Sequence, residues 1–242
     1  MAPRSKAKPK AAKKPVDGNL NEIAYTTIKD DIISCALQPG EEISETVLVA
    51  RYGLSKAPIR SALMRLRQEG LVVSRGRLGN IVTPVTLGDV QEISQLRLVL
   101  EVTATRLAAG KVDAERIREL NRAVQAGYKP GNKKSESAYL KANREFHRYV
   151  AETSGNRRLA ALVIDLMEQH ERIVHLGLAL QNREHEFFHF HDELVTALIK
   201  GDGDRAAKAT ERALRGGLRK VMEALLSSAN QISVIGADLK VD

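Results

Sequence analysis

Between residues 20 and 52 the apolar positions recur at helical spacing in two runs, which predicts two helices. The apolar residues of the first run are Ile23, Ile28, Ile32, Ile33 and Leu37. Pro39 and Gly40, in the stretch QPGEEIS, end this run because neither residue type favours a helix interior. The second run predicts a short helix from about Glu45 through Tyr52.

A third helix is predicted between Gly53 and Gly70, and a hairpin follows it. Ser55 is a residue type that caps helix N-termini, and Pro58 is tolerated in a first turn because its missing amide proton has no partner there. The apolar face of this helix consists of Ile59, Ala62, Leu63 and Leu66. The stretch LVVSRGRLGNIVTPV then alternates around a glycine-containing tip, as the strands of a wing do. Residues 18–85 are therefore predicted to form a winged helix-turn-helix.

Residues 86–228 show helical periodicity only. The predicted helices are Leu87–Ala109, Asp113–Ala126, Ser135–Thr153, Asn156–Leu178, Arg183–Lys200 and Asp204–Ser227. Turn-forming stretches separate them, namely AGKV, GYKPGNKK, TSGN, ALQN and KGDGD. The predicted fold class is thus mainly α, with a small β wing in the N-terminal module and a C-terminal all-α antiparallel helical bundle. Such a bundle leaves room for a ligand between its helices.

The two ends of the chain lack this periodicity. Residues 1–17 hold six Lys or Arg and one Asp with no apolar run, which predicts a disordered basic tail. Residues 229–242 are predicted to be an irregular C-terminal tail. No segment has the pattern of a secretory signal or of a membrane span, so no membrane partner is predicted. The single cysteine, Cys35, excludes an intramolecular disulfide and fits a reducing, cytoplasmic location.

The formal net charge of +8 is distributed unevenly inside the winged module. Residues 51–77 contain seven Lys or Arg and one acid, Glu69, whereas residues 18–50 contain one Lys and six acids. Such polarity within one small module indicates a surface that binds a polyanion. The alternative is an ordinary basic face that only contacts water.

The third helix carries the side chains that fit double-stranded DNA. Lys56 and Arg60 lie within about 40° of each other around the helix and to one side of its apolar face. The uncharged residues on the same exposed side are Ala57, Ser61 and Met64. Such a helix suits the major groove, where its N-terminal residues contact base edges. The predicted phosphate contacts from the preceding helix and the wing are Arg51, Arg75 and Arg77.

The run LVARYGLSKAPIRSALMRLRQEGLV, followed by GRLGNIV, resembles the DNA-binding domain of the GntR family of bacterial transcription regulators. The family pattern Gly-Val-Ser-Arg-Thr-Pro-Val-Arg-Glu-Ala-Leu stands here as GLSKAPIRSAL, residues 53–63. The resemblance implies base or phosphate contacts at Ser55, Lys56, Arg60 and Gly79. Lys56 replaces the usual Arg and lacks the fork that forms two hydrogen bonds with guanine. Because Ala57 and Ser61 also depart from the pattern, the operator sequence of the family is not carried over. The predicted DNA-binding residues are Arg51, Ser55, Lys56, Ala57, Arg60, Arg75, Arg77 and Gly79.

The helical block resembles the FadR-type C-terminal domain, or FCD domain, of the same family. The segments that carry the resemblance are LRLVLEVTATRLAA, NREFHRYVAETSGN and HDELVTALIKGD. The resemblance implies that this domain binds a small organic acid, often through a divalent metal such as zinc, nickel or manganese. One Asp and three His hold the metal in that family, and their positions fall on Asn143, His147, His191 and Ala213.

Two substitutions make the metal a doubtful prediction. Asn143 replaces the Asp and Ala213 replaces the last His, so one anion and one ligand are lost. Histidines elsewhere could complete a site, and those considered are His170, His175, His185 and His189. The alternatives are histidines with no metal role, or a metal-free pocket that binds an acid. The predicted effector-binding residues of such a pocket are Arg97, Asn143, His147 and His191.

The first helix of the block has two further features. Arg97 and Glu101 are one turn apart, so they are predicted either to pair with each other or to contact the effector. The apolar stripe of this helix is predicted to lie in the bundle core, and it consists of Leu96, Val99, Leu100 and Leu107.

These patterns predict a transcription regulator that represses by binding a palindromic operator as a homodimer, and the family resemblance implies a small organic acid as its effector. An architectural DNA-binding protein with a vestigial sensor domain is the first alternative. A metal-dependent enzyme is the second, and it is disfavoured because the chain has no HExxH, no paired carboxylates beside its histidines and no Ser-His-Asp pattern. The protein is therefore predicted not to be an enzyme.

Overall fold

The computed structural model describes residues 17–76, 79–129, 131–180 and 191–228. The described elements, in chain order, are α1 (Asp17–Ile33), β1 (Glu42–Ile43), α2 (Glu45–Tyr52), α3 (Lys56–Gln68), β2 (Val72–Ser74), β3 (Asn80–Val82), α4 (Leu87–Ala108), α5 (Ala114–Gln125), α6 (Lys133–Thr153), α7 (Arg157–Leu180), α8 (His191–Lys200) and α9 (Gly203–Ser228). Two compact units divide the described chain. One unit comprises 17–30 and 42–81, and the other comprises 31–41 with the described part of 82–228. The predicted fold class, a winged helix-turn-helix followed by an all-α helical domain, is confirmed.

The bounds of α2 and α3 follow from residues at their ends. The Ser44 side chain accepts a hydrogen bond from the backbone N–H of Val47 and so caps α2, while Gly53 ends it with a φ of 67°. Ser55 occupies the N-cap position of α3, but its hydroxyl makes no capping hydrogen bond. The face of α3 that the sequence predicts to be apolar is buried in the structure: Ile59, Ala62, Leu63 and Leu66 are each at most 1% exposed.

The wing is a three-stranded sheet rather than the predicted hairpin alone. Its strand order is β1, β3, β2, and β1 pairs antiparallel with β3 through Glu42 with Ile81 and Ile43 with Asn80. The end of the first helix also differs from the prediction. Although the apolar pattern continues to Leu37, α1 ends at Ile33. Leu37 is buried outside the helix, so its burial extends the apolar pattern past the helix end.

The C-terminal unit consists of helices that begin at capping residues. Thr86 and Asp89 form a capping box at α4, and Asp113 and Asn132 accept hydrogen bonds that cap α5 and α6. The predicted helices agree with α4 to α7 and α9 to within a few residues at each end. Of the predicted helix Arg183–Lys200, the part from His191 is helical, and its first eight residues lie outside the described residues. Among the described residues, no helix has the length and apolar character needed to cross a membrane.

The prediction that the apolar stripe of α4 lies in the core is wrong for most of its members. Leu96, Val99 and Leu107 are 53%, 65% and 41% exposed, and Leu100 is partly buried. The helix instead buries a face that carries two charged residues. The buried residues of this face are Val90, Arg97, Glu101, Ala104, Thr105 and Ala108. Because Arg97 and Glu101 neutralise each other, the buried face of α4 does not have to be the most apolar one.

Candidate DNA-binding surface and effector cavity

The N-terminal half of α3 presents a basic, solvent-exposed face. Ser55, Lys56, Ala57 and Arg60 are exposed, and the buried residues of α3 lie on the opposite side. Met64 continues the exposed side at 54% exposure, as predicted. The Ser55 hydroxyl and the Lys56 ammonium therefore point away from the core and can reach a ligand. We call Ser55, Lys56, Ala57 and Arg60 the recognition face.

Arg60 on this face is held by a carboxylate from the preceding helix. Its Nε donates to Oε1 of Glu45 at 2.8 Å, and its Nη2 donates to Oε2 at 2.9 Å. Glu45 lies in the first turn of α2, where the helix dipole favours a negative charge. The hydrogen bond from Arg60 lowers the pKa of the Glu45 carboxyl.

Other basic residues of the stretch 51–77 are engaged inside the module. Arg65 bonds to Glu22 at 2.9 Å and stacks over the Tyr25 ring at 3.4 Å from its centre. Arg67 donates to Oδ1 of the buried Asn80 at 2.8 Å. Glu69, the one acid of the stretch, accepts hydrogen bonds from Tyr25. The positive charge directed outward is therefore concentrated at the N-terminal half of α3, at α2 and at the wing.

The predicted phosphate contacts lie beside this face in sequence and are exposed where they are described. Arg51 is exposed in the last turn of α2, and Arg75 is exposed directly after β2. The backbone N–H of Arg75 donates to the carbonyl of Gly79 at 2.9 Å, which brings these two residues of the wing together. Gly79 has a φ of 88°, a conformation that favours glycine. Arg77 lies outside the described residues.

The C-terminal unit contains a cavity of about 110 Å³ between its helices. All four predicted effector-binding residues, Arg97, Asn143, His147 and His191, contribute to its wall. They come from α4, α6 and α8, so the bundle brings together residues far apart in sequence. Ala213 also lines the cavity, as does His170. His175, the other histidine of α7 considered in the sequence, is not among the lining residues.

A buried chain of contacts joins Arg97 to His147 through Glu101. Nε of Arg97 donates to Oε1 of Glu101 at 2.7 Å, and Nδ1 of His147 lies 2.5 Å from Oε2 of the same carboxylate. Arg97 and Glu101 are 5% and 3% exposed. Burial raises the pKa of Glu101, but the charges of Arg97 and His147 outweigh it and lower that pKa to about 2. Glu101 is therefore ionised and fixes the direction of both partners.

The terminal nitrogens of Arg97 are not engaged by this carboxylate. Its two terminal nitrogens, Nη1 and Nη2, have no hydrogen-bond partner among the described residues, although Arg97 lines the cavity. A guanidinium held through Nε by a carboxylate can still bind a second carboxylate through these nitrogens. The pair that the sequence analysis treated as an alternative to effector binding is thus compatible with it.

His191 lies in the cavity wall and packs against two other rings, those of Phe146 and His147. The Phe146 ring is fully buried and stacks on the His191 ring with 4.3 Å between centres, while the His147 ring meets His191 edge-on at 5.5 Å. Burial, followed by the charge of His147, lowers the pKa of His191 to about 3. Burial also lowers the pKa of His170. Both side chains are thus neutral at neutral pH and act as hydrogen-bonding groups.

Two amides from α5 anchor the start of α8, where His191 lies. Nδ2 of Asn121 and Nε2 of Gln125 both donate to Oδ1 of Asp192, at 2.7 and 2.6 Å. Asp192 also favours the helix N-terminus electrostatically. These contacts hold the backbone that carries His191 against the cavity.

The described residues do not fit the four-ligand metal site that the family resemblance implies. Asn143 offers a neutral amide oxygen in place of a carboxylate, and Ala213 offers no ligand, so one anion and one ligand of the four are lost. No group of three or more His, Cys, Asp or Glu within the described ranges is arranged to hold a metal ion. His185 and His189 lie outside those ranges.

Several residues of the cavity escaped the sequence analysis. These include Asn121, Gln125 and Lys220. The sequence contains no signal for these positions. Each residue lies in a polar-rich helix, and the pattern of such a helix does not show which side faces a ligand. Their positions depend on how the helices pack.

Comparison with known protein families divides the chain as the sequence does. Residues 20–82 match the family described as bacterial regulatory proteins, gntR family. Residues 92–216 match the family described as FCD domain, and this match alone spans more than half of the chain. The first match contains the recognition face of α3, and the second contains Arg97, Asn143, His147 and His191.

Relatives and solved structures agree with these matches. An uncharacterized HTH-type transcriptional regulator, YdhC of Bacillus subtilis, is 32% identical over 140 residues, which cover 57% of this chain and 62% of YdhC. The HTH-type transcriptional repressor RspR of Escherichia coli is 22% identical over 206 residues, or 85% of this chain and 89% of RspR. The structure of E. coli McbR/YncC has a TM-score of 0.72 at 20% identity, covers 84% of this chain and 97% of its own, and so shows the same fold. The protein belongs to the GntR family of bacterial regulatory proteins, and it is a transcriptional regulator of the kind that carries an FCD domain.

Proposed function

We infer that the protein is a repressor that binds a short palindromic operator as a homodimer, one winged module on each half-site. The observation that carries this proposal is the recognition face of α3, which is basic, exposed and backed by a buried apolar side. A two-fold symmetric dimer presents two such helices, and a palindrome offers two equal half-sites. The relative RspR, which carries the name of a repressor, supports the direction of regulation.

The C-terminal cavity is the site for the effector, a small organic acid. Arg97 is the cationic anchor, because it lines the cavity and Glu101 holds it only through Nε, which leaves Nη1 and Nη2 available to an acid. Neutral His170 and His191 then supply hydrogen bonds without adding charge. The acid needs no metal in this arrangement, since the guanidinium supplies the positive charge.

Binding of the acid changes operator affinity by ordering the helices that carry His147 and His191. In a dimer this shifts the relative placement of the two winged modules and so favours one spacing of half-sites. The acid and the operator are then linked reciprocally: each changes the affinity for the other by the same factor.

The operator proposal is tested with DNA fragments from upstream of the protein's own gene and adjacent operons. We expect at least one fragment to bind far more tightly than random DNA, with an affinity that falls steeply as salt rises. Equal affinity for all fragments at every salt concentration would exclude an operator near the gene.

The effector proposal is tested with His191→Ala and the matched variant His175→Ala. A panel of small carboxylic acids is titrated into the wild-type protein on its operator, and the active acid is expected to change operator affinity about 5- to 150-fold.

His191→Ala should retain operator binding and lose this response, whereas His175→Ala, outside the cavity wall, should keep it. His147→Ala should also lose the response, but it removes a partner of Glu101 as well. An unchanged response in His191→Ala would mean that the acid binds elsewhere. Metal analysis of the same samples, before and after chelation, checks that the response needs no ion.

The exposed stripe of α4 supports a dimer contact. Leu96, Val99 and Leu107 form an apolar surface that water would otherwise cover. We expect Val99→Asp to weaken the dimer at least tenfold, because an unpaired carboxylate cannot be buried without a large cost. Sedimentation equilibrium measures this effect. Val47→Asp is the control, since Val47 is a comparably exposed apolar residue of the winged module. If both variants dimerise as the wild type does, α4 is not the interface.

A further inference from the structure

The ion pair of Glu45 and Arg60 connects the two helices of the helix-turn-helix through two hydrogen bonds. Arg60 Nε to Oε1 is 2.8 Å and Nη2 to Oε2 is 2.9 Å. The Arg60 side chain nevertheless remains 68% exposed, and the Glu45 side chain is 31% exposed. Because both groups are planar, a two-bond contact fixes the plane and direction of the guanidinium as well as its position.

The pair occupies one edge of the guanidinium and leaves the other edge available. Nε and one hydrogen of Nη2 are used by Glu45. Nη1 has no hydrogen-bond partner among the residues that the structure describes. The end of the fork, formed by Nη1 and Nη2, has the two donors that match O6 and N7 of guanine in the major groove. Arg60 can therefore contact a base without releasing Glu45.

Lys56 cannot make the same contact. Its ammonium is a point charge on a flexible stem, which attracts phosphate or a base acceptor but does not impose a two-bond geometry. On the recognition face, whose members are Ser55, Lys56, Ala57 and Arg60, the guanidinium of Arg60 is the group suited to guanine. Discrimination at this face thus depends on how Arg60 is oriented.

A carboxylate beside the recognition face weakens its general attraction for DNA. Glu45 is close enough for Lys56, Arg60 and Arg67 to act on it electrostatically, so it offsets part of the positive charge that attracts phosphates. Glu45 therefore lowers the general affinity for DNA but fixes the direction of Arg60, so its contribution is to specificity and not to affinity.

We propose that Glu45 is a specificity-determining positioning residue, which holds the guanidinium of Arg60 so that it reads a guanine in each operator half-site. This inference rests on the proposed operator-binding function. It adds a residue of α2 that touches no base itself but acts through Arg60.

The test compares four full-length proteins: wild type, Glu45→Gln, Arg60→Lys and Glu22→Gln. Each is used to select binding sites from random duplex DNA and is then titrated with the selected operator and its single-base variants. Glu22→Gln is the matched control, because it removes the same charge from another Glu–Arg pair of the module, Glu22 with Arg65 at 2.9 Å. Non-specific affinity is measured with an unrelated duplex.

We expect wild type and Glu22→Gln to select guanine at one position of each half-site, and Arg60→Lys to lose that preference. Glu45→Gln should lose preference at the same position, with discrimination reduced about tenfold. Its affinity for the unrelated duplex should be unchanged or increased, because a negative charge has been removed. A merely structural role would instead weaken binding to all sequences together.

Three results would overturn the inference. These are wild-type discrimination in Glu45→Gln, an equal loss of its affinity for all sequences, and an affected position different from that of Arg60→Lys. If Glu45→Gln does not fold, as judged by its circular dichroism melting curve, Glu45→Asp provides the second variant. That variant keeps the charge but is too short for the two-bond contact, so it should show the same selective loss. If the wild type selects no sequence at all, the operator proposal itself fails, and the two failures are thereby distinguished.

Discussion

Replacing Glu101 with leucine is expected to destabilise the C-terminal unit by about 3–5 kcal/mol, because it leaves the Arg97 charge buried without a partner. Arg97 is 5% exposed, so bulk water screens its charge poorly once the carboxylate is gone. The measurement is the free energy of unfolding from urea titration of the full-length protein, followed by circular dichroism.

A second variant isolates the cause. In the double variant Arg97→Met, Glu101→Leu, both charges are replaced by apolar groups, and most of the lost stability should return. A double variant as unstable as Glu101→Leu would show that packing around Glu101, rather than the unpaired charge, causes the loss.

The same pair predicts a dependence on pH. The pKa of Glu101 is lowered from 4.5 to about 2 in the folded protein. Its contribution to the free energy of unfolding is therefore fully present above pH 4.5 and is lost as the pH falls toward 2. The pKa of His191 is lowered from 6.5 to about 3, so its contribution is lost as the pH falls from 6.5 toward 3. Glu101→Leu should remove the first of these slopes and keep the second.

The sequence predicted those features of the fold that neighbouring residues determine, and it missed those that depend on contacts between distant residues. The bounds of α2 were predicted as found, because Ser44 and Gly53 fix both of its ends through local contacts. The end of α1 was missed, because Leu37 is buried by contacts beyond the helix. β1 was missed because two residues, Glu42 and Ile43, are too short a strand to leave a pattern.

The candidate sites divide in the same way. Asn143 and His147 share one face of α6 by helical spacing alone, and the family resemblance linked them to His191. By contrast, the contact of Glu45 with Arg60 spans two helices, and the distance between two helices cannot be read from the sequence. The exposure of Val99 likewise depended on which side of α4 packs against the other helices. The apolar pattern predicted the side of Val99, but the side that carries the ion pair of Arg97 and Glu101 is the buried one.

Removing both basic side chains of the recognition face, in the variant Lys56→Ala, Arg60→Ala, is expected to lower operator affinity at least about 100-fold. Arg60 accounts for base contacts and Lys56 for a charge close to the phosphates, so affinity and discrimination should fall together. The dependence of the logarithm of affinity on the logarithm of salt concentration should become shallower by about 1, since Lys56 is the one of the two residues assigned to the phosphates. Fluorescence anisotropy with labelled operator, measured over a range of salt concentrations, gives both quantities.

The matched control for this variant is Lys133→Ala, Lys141→Ala, which removes two exposed positive charges from α6 in the C-terminal unit. If net charge alone governed DNA binding, the two double variants would lose affinity equally, and a weak general attraction to polyanions would suffice as the explanation. If only Lys56→Ala, Arg60→Ala loses operator affinity, α3 must dock on the DNA. In that case the place of the lost charges on the protein, and not their number, determines the loss. Operator affinity within about threefold of wild type in that variant would place the DNA-binding surface away from α3.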